Sequence, residues 1–370
     1  MNAVYVVKAK RTVIGKKGGI HKKVTPEKLA AAVLAELGKA QPVDGVIMGN
    51  AVGEGGNIAR HSLLEAGFHP SVPGLTVDSQ CGGGLEAIVT AARFIQAGAG
   101  DCYLAGGVES TSFEPARFRV GEKTPIPRAS FAPADIGDPD MAASAESVAE
   151  EFRITRAEQD AYALESYRRA YEADLEGRFD EEKISAHQGI RDEGIRKLSE
   201  RLVKRMPPLT MPSGTITAAN SCEKSDGAAA VILMSEKACR EAGVKPWLQF
   251  VDSVSAGDDP NYASISPIRA IQKLLYRNSL HIDAIGRMEF NEAYAAQLIA
   301  CGKHIPLSFS RVNVSGGALT LGHPYGASGA INVCRLFHEL LRCNMKYGIA
   351  TVGAAGGVGT AALFKKVSVT

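Results

Sequence analysis

Cys81 stands in Val77-Asp-Ser-Gln-Cys81-Gly-Gly-Gly84, where a strand expected over Leu75–Asp78 meets a helix expected over Leu85–Gln96. Glycines there let the backbone bend sharply and leave the sulfur unscreened. A helix N-terminus offers free N–H groups and a partial positive charge, both of which favour thiolate over thiol. A thiol of pKa about 8.5 is only a few per cent ionised near neutrality, and lowering it by about two units makes the thiolate the majority form. The competing reading is a buried structural cysteine, the fate expected for Cys102, Cys239 and Cys334 inside strands and helices. His323, held at a turn by Pro324 in a glycine-rich loop, is the candidate base, because imidazole titrates near neutral pH. Asn291, in Asn291-Glu-Ala-Tyr294 after a short strand, can hold a water or donate to an oxygen that gains charge, or simply cap a helix.

The elements that must position these groups alternate between strand and helix. Val4–Val7, Val43–Met48, Leu75–Asp78 and Cys102–Ala105 read as strands. Helices are expected from Thr25 through Leu37, over Ile58–Ala66, and from Leu85 to Gln96. This alternation predicts an α/β fold with helices on both sheet faces. Residues 112–212 differ in character, with five prolines between Pro115 and Pro139 and a charged helix from Arg156 to Gly177 capped by Thr155. The expected division is 1–112 as an N-terminal α/β half, 113–215 as an inserted lid, 216–245 as completion of the first half, and 246–370 as a C-terminal α/β half. Gly322–Gly329 opens a helix through Leu341, and a strand over Tyr347–Val352 then ends in glycines. Cys81–Gly84, its helix and Cys102–Gly107 follow the same plan, so two facing repeats would bring Cys81 and His323 to one cleft. His338 is expected at the surface or an edge of its helix.

Composition narrows the function. The chain has 370 residues, enough for about two or three domains, with 45% hydrophobic and 22% charged residues, which excludes global disorder. Lys+Arg of 42 against Asp+Glu of 40 gives no reason to expect a nucleic-acid partner. The longest apolar run, Ala228–Met234, is far short of the ~20 residues that span a bilayer. The N-terminus reads as a strand rather than a signal peptide. Seven cysteines without CxxC spacing fit a reducing cytoplasm better than a disulfide scaffold. No histidines stand at ligand spacing, so no metal is expected. Gly353-Ala-Ala-Gly-Gly-Val-Gly359 leads into another strand, Ala361–Phe364, and so reads as a hairpin near a ligand rather than a dinucleotide loop.

Taken in order, these motifs resemble the thiolases, acyl-CoA:acetyl-CoA C-acyltransferases, nearly end to end. The resemblance rests on Val77–Ala87, Ala105-Gly-Gly-Val-Glu-Ser110, Met141–Ala149, Asn291-Glu-Ala-Tyr-Ala295 and Gly322–Gly329. It implies a five-layer αβαβα fold of two pseudo-repeated halves with an inserted lid, assembled as a homodimer or homotetramer. It also implies coenzyme A thioesters as substrates, no bound cofactor, and a place in fatty acid metabolism. Carried over, Cys81 takes the acyl group and His323 activates it. His323 and a water on Asn291 polarise the second thioester. The N–H groups of Cys81 and Ala355 form the other oxyanion hole. Ala218, Ser221, Cys222, Ala293 and Tyr294 line the coenzyme A tunnel.

The sequence departs from the family pattern at several of these positions. Gly353 stands where the resemblance places a second cysteine that moves the α-carbon proton; Asp140 stands for a lid histidine, and Cys222 for a serine. Acylation of Cys81 is therefore expected to survive, with carbon–carbon chemistry slow unless Cys301 or Cys222 reaches the α-carbon. The alternatives are an acyl-Cys81 that is hydrolysed or passed to another nucleophile, and an acyl-CoA-binding protein without catalysis.

Overall fold

The computed structural model describes residues 2–38 and 42–367. The first half contains β1 (Val4–Arg11), β2 (Gly15–Lys16), α1 (Pro26–Gly38), β3 (Gly45–Gly49), α2 (Ile58–Glu65), β4 (Gly74–Val77), α3 (Gly83–Ala97) and β5 (Cys102–Ser110). A long excursion then carries α4 (Met141–Glu151), α5 (Arg156–Leu175) and α6 (Glu200–Val203) before β6 (Ser225–Ser235) returns to the sheet. After α7 (Glu236–Glu241) come β7 (Leu248–Gly257), α8 (Pro267–Arg277), β8 (Ile285–Phe290), α9 (Ala295–His304), α10 (Ala318–Leu321), α11 (Tyr325–Arg342), β9 (Tyr347–Ala354) and β10 (Val358–Lys366).

The strands lie in the order β4-β3-β5-β6-β1-β7-β10-β9-β8. In the first half β3 runs parallel to β4 and β5, while β6 is antiparallel to β5 and β1. The second half repeats this plan. There β8 is parallel to β9, and β10 is antiparallel to β9 and β7. A short antiparallel pairing of Val4–Val6 with Leu248–Phe250 joins the halves.

Burial explains the layering. β5, β6 and β9 are buried along almost their whole length, so each needs apolar cover on both faces. One core cluster packs α3 and α11 between the two half-sheets. A second puts α1 and α2 on the outer face of the first half-sheet, and a third puts α8 and α9 on the outer face of the second. The result is the five-layer αβαβα arrangement of an α/β protein. His338 differs from expectation: α11 is sandwiched, so the residue is buried and its Nε2 lies 3.2 Å from the Ala9 carbonyl. Among the described residues no helix is long and apolar enough to cross a membrane.

The excursion is tied down by polar contacts as well as by apolar packing. α5 starts with a full capping box, Thr155 and Glu158 satisfying each other's backbone N–H. Glu292, fully buried, accepts from Tyr162 and Ser166 of α5 at 2.8 Å each and from Asn313 at 2.8 Å. The residue beside Asn291 thus anchors the excursion to the second half of the molecule.

Candidate active site

Cys81 sits on a strained turn. Gln80 adopts φ +49°, a left-handed conformation that a side chain disfavours, and its N–H is held by Asp78 Oδ1 at 2.9 Å. The turn ends in Gly82, and α3 begins at Gly83. Glycine is required here because two helices meet backbone to backbone. A Cβ on Gly84 would stand 2.7 Å from the Gly326 carbonyl oxygen and 3.0 Å from Ala330 N; one on Gly329 would stand 2.5 Å from Leu85 N. α3 and α11 can therefore bring their N-terminal ends together, and with them Cys81 and the His323 loop.

Both residues line one cavity of about 320 Å³, together with Cys222, Ala293, Tyr294, Gly353 and Ala355. The excursion supplies another wall through residues such as Phe131, Asp140 and Met141. Asn291 lies beside the cavity, with Nδ2 3.5 Å from His323 Nε2 and with its buried Oδ1 without a hydrogen-bond partner among the described residues. His323 Nδ1 lies 2.6 Å from Ser328 Oγ. With Nδ1–H donating to that hydroxyl, Nε2 keeps its lone pair and can accept a proton. Ser328 was not singled out from the sequence, although it sits one turn into the helix that follows His323. Two expected substrate-contacting residues lie elsewhere: Ala218 is exposed outside the cavity lining, and the Ser221 hydroxyl donates to the Thr217 carbonyl at 2.7 Å. Asn291 caps no helix, since α9 starts only at Ala295.

The expected thiolate is corrected by burial. Desolvation and the nearby Glu109 carboxylate push the Cys81 thiol up to about 12, although the N–H groups of Ala355 and Cys81 point at the sulfur and act the other way. Cys81 also precedes the first helical turn instead of lying within it, which weakens the helix-end effect. Burial pulls His323 down to about 4. The resting pair is thus neutral thiol and neutral imidazole. Glu109 is wholly buried and accepts from Asn50 Nδ2 (2.8 Å), Ala51 N (2.9 Å), Val52 N (3.2 Å) and Gly326 N (3.0 Å). Burial, partly offset by those N–H groups, raises it to about 7. It clasps a first-half loop to the start of α11. The sequence signal, an acid closing a strand of small residues, was visible without its purpose.

Cys301 is fully buried in the core under the second half-sheet and does not line the Cys81 cavity. A Cβ on Gly353 would meet Gln297 Nε2 at 3.0 Å and Pro267 Cδ and Cγ at 3.1 Å. The space behind Gly353 is closed.

A cysteine on a glycine turn, a histidine from the other half and the Ala355 backbone meet at one cavity of an α/β protein, an arrangement of the kind used for nucleophilic acyl transfer. Residues 4–237 match the family Thiolase, N-terminal domain, and residues 244–366 match Thiolase, C-terminal domain. The chain belongs to the thiolase family, and its activity at family level is acyl transfer, a transferase function. It is 45% identical to the putative acetyl-CoA C-acetyltransferase YhfS of Bacillus subtilis (strain 168), over 99% of each chain. It is 42% identical to the putative acetyl-CoA C-acetyltransferase VraB of Staphylococcus aureus (strain COL), over 99% of this chain and 100% of the other. Among solved structures, the Bacillus anthracis acetyl-CoA acetyltransferase superposes with TM-score 0.93 at 34% identity, over 99% of both chains. Human mitochondrial 3-ketoacyl-CoA thiolase in complex with CoA superposes with TM-score 0.92 at 33% identity, over 99% of this chain and 98% of the other.

Proposed function

We propose that this enzyme moves an acyl group between coenzyme A thioesters through an acyl-Cys81 intermediate. Cys81 attacks the thioester carbonyl as its proton passes to His323 Nε2. The N–H groups of Cys81 and Ala355 receive the developing oxyanion, while Asn291 with His323 holds a water against the oxygen of the second thioester. The observation that carries this reading is the convergence of Cys81, His323 and those two N–H groups on one cavity. Cys222, Ala293 and Tyr294, which line the cavity, are read as contacts for the coenzyme A arm. The chemistry is complete without a prosthetic group or metal, since thiol, imidazole and backbone donors supply every part of acylation. We read the enzyme as a cytoplasmic homodimer or homotetramer of fatty acid metabolism. The edge position of β4, with Leu75 exposed, offers an unpaired ladder for such assembly.

The test is to incubate the protein with acetyl-CoA and record the intact mass. One acetyl group per chain is expected, located on Cys81 by peptide mapping and lost in Cys81→Ala. An adduct that persists in Cys81→Ala, or none on the wild type, would overturn the proposal. A second reading, in which acyl-Cys81 discharges to water or another nucleophile, draws on the missing side chain at Gly353. It predicts acyl adducts and coenzyme A release without acetoacetyl-CoA cleavage.

A further inference from the structure

Acyl transfer onto Cys81 accounts for one proton, the one His323 receives. Joining two acyl groups at carbon moves another, from the α-carbon of the second thioester. Gly353 cannot carry it, and Gln297 and Pro267 already fill the direction in which a side chain there would point. The carrier must come from another wall of the same cavity.

The titratable groups of that wall can be sorted by what already holds them. Glu114 lies 3.7 Å from Arg117 and 3.8 Å from Lys17. Arg128 is paired with Asp138 at 3.0 Å, and Asp140 caps α4 by accepting from Ala143 N at 2.9 Å. Burial pushes up the Tyr294 and Tyr325 phenols and the Cys222 thiol alike, but a phenol is intrinsically the weaker acid, about 10 against about 8.5 for a thiol. Lys224 is exposed to solvent at the cavity edge. Cys222 remains. It is half-buried, lines the cavity with Cys81, and lies close enough for the Cys81 charge to act on it.

Its placement is built by backbone. Cys222 N donates to the Ala293 carbonyl at 2.9 Å, Ser221 bridges to Tyr294, and Lys224 bridges to His323. The residue is strung between the Asn291–Tyr294 turn and the His323 loop, the two segments read as gripping the second thioester. The buried, unpartnered Asn291 Oδ1 beside them is an acceptor waiting for a water or substrate group.

We propose that Cys222 is the acid–base residue that carries the α-carbon proton of the second thioester; this rests on the acyl-Cys81 reading. In the first half-reaction the Cys81 proton goes to His323, the bond from the acyl carbon to coenzyme A sulfur breaks, and the departing thiolate takes the Cys222 proton. Coenzyme A leaves as a neutral thiol, and the Cys222 thiolate shares the cavity with the imidazolium. In the second half-reaction that thiolate takes the α-carbon proton. The freed electron pair forms the carbon–carbon bond to the acyl carbonyl, the bond to Cys81 breaks, and Cys81 recovers its proton from His323. Both thiols and the imidazole end as they began.

The experiment uses the full-length wild type, Cys222→Ser and Cys222→Ala. Three quantities are read: acetyl stoichiometry on Cys81, deuterium uptake into the acetyl-CoA methyl group in D₂O, and cleavage of acetoacetyl-CoA by coenzyme A. The expected result is exchange and cleavage lowered roughly 10²–10⁴-fold in both variants, the usual contribution of a positioned acid–base group, with Cys81 still acetylated at long times but more slowly, because Cys222 also protonates the departing thiolate. Serine preserves shape and so guards against a packing defect in the alanine variant. Exchange within about threefold of wild type in either folded variant overturns the role of Cys222, as does a wild type that is labelled but neither exchanges nor cleaves. A wild type that is not labelled at all removes the acyl-Cys81 reading and this proposal with it, an outcome distinct from the other two.

Discussion

Gly84→Ala tests whether the meeting of α3 and α11 is what holds the nucleophile against its base. The added methyl would lie 2.7 Å from the Gly326 carbonyl oxygen, 3.0 Å from Ala330 N and 3.1 Å from Ala330 Cβ. Two of these three atoms are backbone of the facing helix, so relief requires the helices to separate by several tenths of an ångström. Overpacking of this kind costs about 1–3 kcal/mol. With an unfolding entropy of roughly 2.1 cal/mol/K per residue over the chain, that corresponds to a fall in melting temperature of roughly 1–4 °C. The functional effect should be larger than the stability effect. Cys81 and His323 ride on opposite sides of the contact, and a misplacement of about 1 Å can cost about 10²-fold in rate. The assay pairs thermal unfolding with the time course of Cys81 acetylation by intact mass. Gly257→Ala is the control, because nothing lies within 4 Å of a Cβ there and its φ is not left-handed. If Gly84→Ala matches this control in both stability and acetylation rate, the close approach is not what sets the pair, and the reasoning fails.

Ser328→Ala removes the only side chain hydrogen-bonded to His323 Nδ1 among the described residues; acetylation of Cys81 should slow by roughly 10-fold, the lower end for loss of a partner that orients a functional histidine, while the melting curve moves little. Because burial holds His323 near 4, the acetylation rate should stay on its plateau at pH 5.5 and fall only as pH drops through about 4, where the ring gains a proton and can no longer accept one; a midpoint near 6.5 in the pH profile would refute the assignment. Arg11→Met strands Glu182 and Asp192, now paired with the guanidinium at 2.9 and 2.8 Å inside the protein, and should cost about 3–5 kcal/mol in a denaturant titration. Glu109→Ala leaves the N–H groups of Ala51, Val52 and Gly326 without their acceptor, and should lower stability by more than about 3 kcal/mol while also slowing acetylation through the displaced start of α11.

Most strands and helices of the first half, and the His323 helix with its following hairpin in the second, were legible because each carries its own local signal, whereas α7, β7 and α8 were not read. Leu75–Asp78 and Gly74–Val77 differ by one residue at each end, and the Arg156 helix starts where Thr155 caps it. Cys81 and His323 stood out as candidates because reactive residue types lay at glycine-marked turns, whereas Asn291, which follows a short strand, read equally as a helix cap and drew a role only from the family resemblance. What stayed hidden depends on packing between distant segments. His338 looks like an edge residue in a helix read alone, and only the packing of α11 between the two half-sheets, with Ala9 of β1 against the ring, buries it. Ser328 acquires a role only once the His323 ring folds back over the first turn of α11. Ala218 and Cys222 sit four residues apart in one segment, yet one points to solvent and the other into the cavity, a distinction set by the Ala293 contact and not by residue type.

The charge state of Cys81 was the one property read with the wrong sign, and the reason bears on how the reaction starts. The N–H groups of Cys81 and of Ala355, in the turn between β9 and β10, do favour the thiolate, but they cannot outweigh the loss of water around it or the Glu109 carboxylate nearby. A site that stabilised a free thiolate fully would have to give that stabilisation up on the way to the transition state. Here the same two N–H groups that favour charge on the sulfur are those proposed to hold the thioester oxygen. As the carbonyl enters, the sulfur loses its donors and the carbonyl oxygen gains them, so negative charge is favoured on oxygen just where acylation places it. His323, kept neutral by burial, can take the proton in the same step. The arrangement therefore favours a thiol that ionises only as it attacks, and it keeps an unprotected thiolate from standing idle in the cavity between turnovers.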